Sequence, residues 1–148
     1  MCNFLKIGKP LPEKLKPKST REISLGDIST LLYHKFPGVP IYLSDSVYKL
    51  CGLDDINAFL AQDQTNKMGY MAEELDCDDF AYRLMGQFSV PDWSGLAFGI
   101  VWSDKHALNC FISEEEEEGK FYFLEPQTDD ILEELQPWMG SQIRFIII

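Results

Sequence analysis

The hydrophobic period of this chain changes once, near Pro91, and that change limits the folds open to it. Before Pro91 apolar residues recur every three or four positions; after it they alternate or run continuously. Helices first and strands second predict an α+β fold, not an alternating βαβ one. Residues 24–35 read as a helix with Leu25, Ile28, Leu31 and Leu32 on one face and Phe36-Pro37-Gly38 as its stop. Two short β-prone pieces follow, at 41–43 and 47–50. Asp54-Asp55 opens a second helix that presents Ile56, Phe59 and Leu60. The third helix starts from Asp76 as N-cap, with acids in the first turn where the helix dipole favours them. Phe80, Ala81, Leu84, Met85 and Phe88 form its buried stripe, and Pro91 closes it.

Residues 96–102 are apolar on both faces, which predicts a central strand. The strand at 106–112 sets His106, Leu108, Cys110 and Ile112 on one face and Ala107, Asn109 and Phe111 on the other. Five glutamates at 114–118 and Gly119 make a polar hairpin loop whose like charges discourage edge pairing, and 120–124 is the returning strand. Residues 129–135 read as a short helical piece before Pro137, and 142–148 closes the sheet. The expected architecture is a helix carrying Cys77 packed on a twisted antiparallel sheet of about four or five strands.

A chain of 148 residues has the size of one domain. Its charge is uneven: residues 1–35 hold seven basic and three acidic residues, and the rest hold six and 21. Lys6, Lys9, Lys14, Lys16 and Lys18 are interleaved with Pro10, Pro12 and Pro17, which block helix and central strand alike. Residues 1–20 therefore read as an extended arm on an acidic body or as a flexible tail, with 21–148 as a single domain. A net charge of −11 argues against a nucleic-acid partner, since little here could neutralise phosphates. No apolar run approaches the ~18 residues of a membrane span, and the first residues lack a secretory layout, so a cytoplasmic chain without a membrane partner is expected.

Cys2, Cys51, Cys77 and Cys110 include no CxxC and read as four thiols, with no structural zinc. Asp76, Asp78 and Asp79 could join Asp54 or Asp55 around calcium. The spacing is no EF-hand and acids are ordinary in a first helical turn, so no metal is assigned. P-loop, GxGxxG, GxSxG and HExxH motifs are absent, which removes nucleotide-dependent and serine-hydrolase readings and leaves no cofactor.

Chemistry could come from Cys77, His106 and Glu125. A thiol in the first turn of a helix meets free N–H groups that favour thiolate. His106 opens one strand and Glu125 ends the next. The midpoint of their numbers falls inside the glutamate loop, so the hairpin would set them opposite one another, with Cβ atoms ~4.5–5.5 Å apart. That geometry suits a base and the carboxylate that orients it. Read without function, Cys77 is a core thiol, His106 a satisfied edge histidine and Glu125 a partly buried acid that needs a partner.

The runs Asp76-Cys77-Asp78-Asp79-Phe80-Ala81, His106-Ala107-Leu108-Asn109 and Glu125-Pro126-Gln127-Thr128 resemble a compact papain-like cysteine peptidase family. That family includes the C-terminal peptidase domain of a mushroom agglutinin and small phage-associated proteins. The resemblance covers about residues 70–148 and, more weakly, 40–70. It implies a papain-like fold, with Cys77 as nucleophile, His106 as general base, Glu125 as its orienter and a peptide or protein substrate. The oxyanion glutamine that such enzymes place before the cysteine has no counterpart nearer than Gln64, and Gln127 is the nearest substitute. Asp76, Asp78 and Asp79 also oppose thiolate formation. Two functions are therefore expected: a thiol-dependent amide or peptide hydrolase or acyl transferase, or a catalytically silent papain-like binding or accessory protein of phage origin.

Overall fold

In the computed structural model, which describes residues 15–18 and 20–148, the chain forms a mixed α+β fold with a helix on each face of one main sheet. β1 (Arg21–Ser24) leads directly into α1 (Leu25–Lys35), where the Ser24 hydroxyl accepts the Asp27 N–H at 3.2 Å. β2 (Ile41–Tyr42), β3 (Val47–Leu50) and α2 (Leu53–Leu60) follow, and a 3-10 turn at Thr65–Lys67 precedes α3 (Cys77–Phe88). The second half supplies β4 (Phe98–Ser103), β5 (Ala107–Ser113), β6 (Lys120–Glu125), β7 (Asp130–Leu132) and β8 (Ile143–Ile147), with a 3-10 turn at Pro137–Met139.

The main sheet has six strands in the order β2-β8-β4-β5-β6-β7, and β1 and β3 make a separate antiparallel pair. β4 lies inside the sheet, as a strand apolar on both faces should. Alternation along β5 and β6 divides the core. Leu108, Cys110, Ile112, Phe121 and Phe123 pack with Ile28 and Leu32 of α1. Phe111, Tyr122 and Leu124 pack with Leu84 and Phe88 of α3 and Ile56 and Leu60 of α2. Phe88 stacks on Phe59 and Phe98 with ring centroids 3.9 and 4.0 Å apart. The fully buried Asn109 donates from Nδ2 to the carbonyls of Ala81 (2.9 Å) and Gly99 (3.1 Å), which fixes α3 against β4 and β5.

Three expectations need correction. The sheet is larger than the four or five strands foreseen, and it is not wholly antiparallel: β2 pairs in parallel with β8. Residues 129–135 do not form a helix. Asp129 takes a left-handed backbone (φ 63°) that cannot continue into one, and Asp130, Ile131 and Leu132 instead pair with Glu125, Leu124 and Phe123. Most of the proposed basic arm lies outside the described residues. Of its described part, Leu15 accepts the Trp93 indole N–H at 2.9 Å, and the Lys18 N–H donates to the buried Asp55 carboxylate at 3.0 Å.

Candidate functional site

The first turn of α3 meets the β4–β5 connection at one end of the sheet. Asp76 flanks the helix, and its N–H donates to the Asp79 carboxylate at 3.3 Å, half of a capping box. Cys77 is the first helical residue and is half-buried. Burial pushes its thiol above the ordinary range, the Ala107 N–H hydrogen-bonded to the sulfur pulls it back, and the Asp76 and Asp78 carboxylates push it up again. Ligand atoms of Asp76, Cys77 and Asp78 lie within 4.8 Å of one another. The Asp78 carboxyl is itself raised, first by its hydrogen bond to the Asp76 side chain and then by burial. Asp54 and Asp55 do not join this group.

His106 precedes β5 in a turn organised by Ser103. The His106 N–H donates to Ser103 Oγ at 2.8 Å, the Ser103 N–H donates to the His106 carbonyl at 2.9 Å, and the Ser103 hydroxyl sits 2.5 Å from the Met139 carbonyl. The imidazole Nε2 lies 2.6 Å from Glu125 Oε2. Glu125 is only 2% exposed, and its second oxygen accepts the Gln127 N–H at 3.1 Å. An ionised carboxylate can only accept, so an ionised Glu125 would take the hydrogen bond from an Nε2–H.

The structure therefore joins His106 to Glu125, but by a different register from the one expected. β5 and β6 pair Asn109 with Leu124 and Ser113 with Lys120, so His106 and Glu125 are diagonal neighbours, not directly opposed. Cys77 reaches the backbone of Ala107, next to His106, and no hydrogen bond joins the thiol to the imidazole among the described residues. Gln127 stands beside Glu125 through its backbone. The Gln64 amide is engaged locally, donating to the carbonyls of Gln62 and Asp63 at 3.3 and 3.0 Å.

One participant escaped the sequence reading: the Ala107 N–H, a backbone group with no sequence signal. Trp138, which with Trp93 and Trp102 reads from sequence as core or rim or as the lining of a cleft, is 59% exposed with its ring centroid 5.0 Å from that of His106. Trp93 is buried in the α3-side core, and Trp102 lies between Tyr82 and Phe145, at 5.5 and 4.9 Å.

No family model matches the chain, and no curated protein matches it in sequence. Among solved structures it is similar to one described as a PSL1a-E64 complex, with TM-score 0.72 and 20% identity over 86% of this chain and 50% of that one. It is also similar to Polyporus squamosus lectin bound to the human-type influenza-binding epitope Neu5Acα2-6Galβ1-4GlcNAc, with TM-score 0.68 and 19% identity over 86% of this chain and 49% of the lectin. The chain spans about half the length of these structures, and identity at this level shows a shared fold alone. The expected membership of a papain-like cysteine peptidase family is thereby corrected. These two structures are of lectins, neither is described as a peptidase, and no family model supports one. The hydrolase and catalytic-triad readings that came with it are withdrawn. Among the described residues no helix is long and apolar enough to cross a membrane.

Proposed function

We propose that this chain is a binding or accessory protein in which Cys77, His106 and Glu125 form a polar structural network beneath a ligand-facing surface. The observation that carries this reading is the acidic setting of Cys77. Its sulfur is clustered with two carboxylates, and burial together with those charges holds the thiol protonated. A nucleophilic cysteine needs the opposite, a cationic neighbour or a dominant helix terminus. The buried His106–Glu125 contact has a sufficient structural purpose, because each group satisfies the other where water is excluded.

Above this network the exposed indole of Trp138 offers an apolar platform beside polar groups, and the Gln127 backbone N–H donates to Glu125. Glycans are the first ligand class to screen, because one structure of this fold is a lectin bound to Neu5Acα2-6Galβ1-4GlcNAc.

Peptide-resolved alkylation of the folded protein across pH tests this reading. In a binding protein Cys77 reacts no faster at neutral pH than an ordinary thiol. Fast reaction of Cys77 near pH 6, abolished by His106→Ala, would overturn the proposal. A glycan array read with the intact chain and with Trp138→Ala tests the surface, and signal that Trp138→Ala leaves unchanged would remove Trp138 from it.

A further inference from the structure

A groove beside α2 holds a piece of the chain's own N-terminal segment. Burial alternates along residues 15–18: Leu15 and Pro17 are half-buried, whereas Lys16 and Lys18 are exposed. Two buried side chains of the groove grip the main chain of this segment. Trp93 is 2% exposed and lies against Phe59 and Phe88, with ring centroids 4.7 and 5.6 Å away. Its indole N–H donates to the Leu15 carbonyl at 2.9 Å. Asp55, 5% exposed in the first turn of α2, accepts the Lys18 N–H at 3.0 Å. An indole has a single donor, and Trp93 uses it on this segment. Buried donors and acceptors are paired in folded proteins, and here one of each is turned to a strand outside both the helices and the sheet. Pro17 falls between the two anchors, where its ring fixes φ at about −65° and it has no N–H to leave unmet. An open cavity of about 350 Å3, lined by Phe59, Asp63, Arg83, Val90 and Trp93, adjoins Leu15 and lengthens the groove.

We propose that this groove is a peptide-binding site, filled by residues 15–18 of the same chain, and that it accepts the same chemistry in trans: a lysine-bearing extended peptide with an apolar residue two positions before a proline. Recognition runs through the main chain at the Trp93 N–H and the Asp55 carboxylate, and the inward side chains at alternate positions give selectivity. Charge agrees with a lysine-bearing ligand, since residues 36–148 hold six basic and 21 acidic residues. Two hydrogen bonds and two half-buried side chains are a modest hold. Covalent attachment keeps the site filled by supplying an effective concentration on the order of millimolar. No member of the Cys77, His106 and Glu125 network takes part, and glycan binding is not required.

The test uses the full chain and a fluorescent peptide with the sequence of residues 10–20, followed by anisotropy. Lys18→Pro in the chain removes the N–H that Asp55 accepts and so frees the groove. One peptide per chain is expected to bind this variant at least tenfold more tightly than it binds the native chain, whose own segment competes. A peptide carrying the same Lys18→Pro change, or a scrambled peptide of equal charge, should bind the freed groove at least tenfold more weakly. Trp93→Phe added to the variant should weaken the native peptide similarly. Circular dichroism checks that each variant folds; Leu15→Ser loosens the same segment and replaces Lys18→Pro should that chain not fold, and the altered peptides need no further change to the protein. Equal affinity for native and freed chains would overturn the proposal. So would absence of saturable binding to the freed chain, or equal binding of the scrambled peptide, which would reduce the contact to charge alone.

Discussion

At the scale of single residues, charge decides what the site can do. Cys77 stands at a helix start, which by itself favours thiolate, yet burial and the carboxylates of Asp76 and Asp78 outweigh that help. Asp78→Asn removes one of those charges, so the pH midpoint of Cys77 alkylation should fall relative to the native protein; an unchanged midpoint would remove Asp78 as a cause. Glu125→Ala strips the partner from a buried imidazole and should cost about 3 kcal/mol in urea denaturation. Asp129 has the opposite linkage from a salt-bridged acid. Burial and Asp63 raise its folded-state pKa, so its stabilising contribution is complete below the usual aspartate range and is lost as pH rises through the raised value. Asp129→Asn should flatten that fall in stability and should leave the protein no less stable at neutral pH.

At the scale of elements, close backbone approach sets the strictest limits. A Cβ on Gly99 would lie 1.9 Å from the Ile147 carbonyl oxygen, so Gly99→Ala should force β4 from β8 and cost about 3 kcal/mol or more. Urea denaturation of that variant measures it. Helix positions were legible because periodicity and stop signals agree: Leu25 to Leu32 before Phe36-Pro37-Gly38, and Phe80 to Phe88 before Pro91. The β5–β6 hairpin was legible from its glutamate loop, but its register was not. The loop closes after Gly119, which takes φ +86° against Ile112, and composition alone does not reveal which residue begins the returning ladder. The parallel pairing of β2 with β8 left no local trace, since two residues carry no pattern. Of the site, the His106–Glu125 contact could be read from the hairpin, whereas the Ala107 N–H contact belongs to tertiary packing.

At the scale of the whole molecule, two apolar layers share one sheet, α1 on one face and α2 with α3 on the other. Leu108→Ala opens the first layer and Leu84→Ala the second, each at a cost of about 2–5 kcal/mol. Because β4, β5 and β6 carry both layers, both variants should shift a single cooperative thermal transition; two separable transitions would show that the layers melt independently. The parallel β2–β8 pair has a further consequence, for kinetics. Ile41 meets Ile146, and the Tyr48 hydroxyl donates to the Ile148 carbonyl from 100 residues away. Each such meeting closes a very long loop before any contact rewards it, and loop entropy must be met first. Refolding from denaturant is therefore expected on the order of milliseconds to seconds, with β2 docking late onto a sheet already assembled from its neighbouring hairpins.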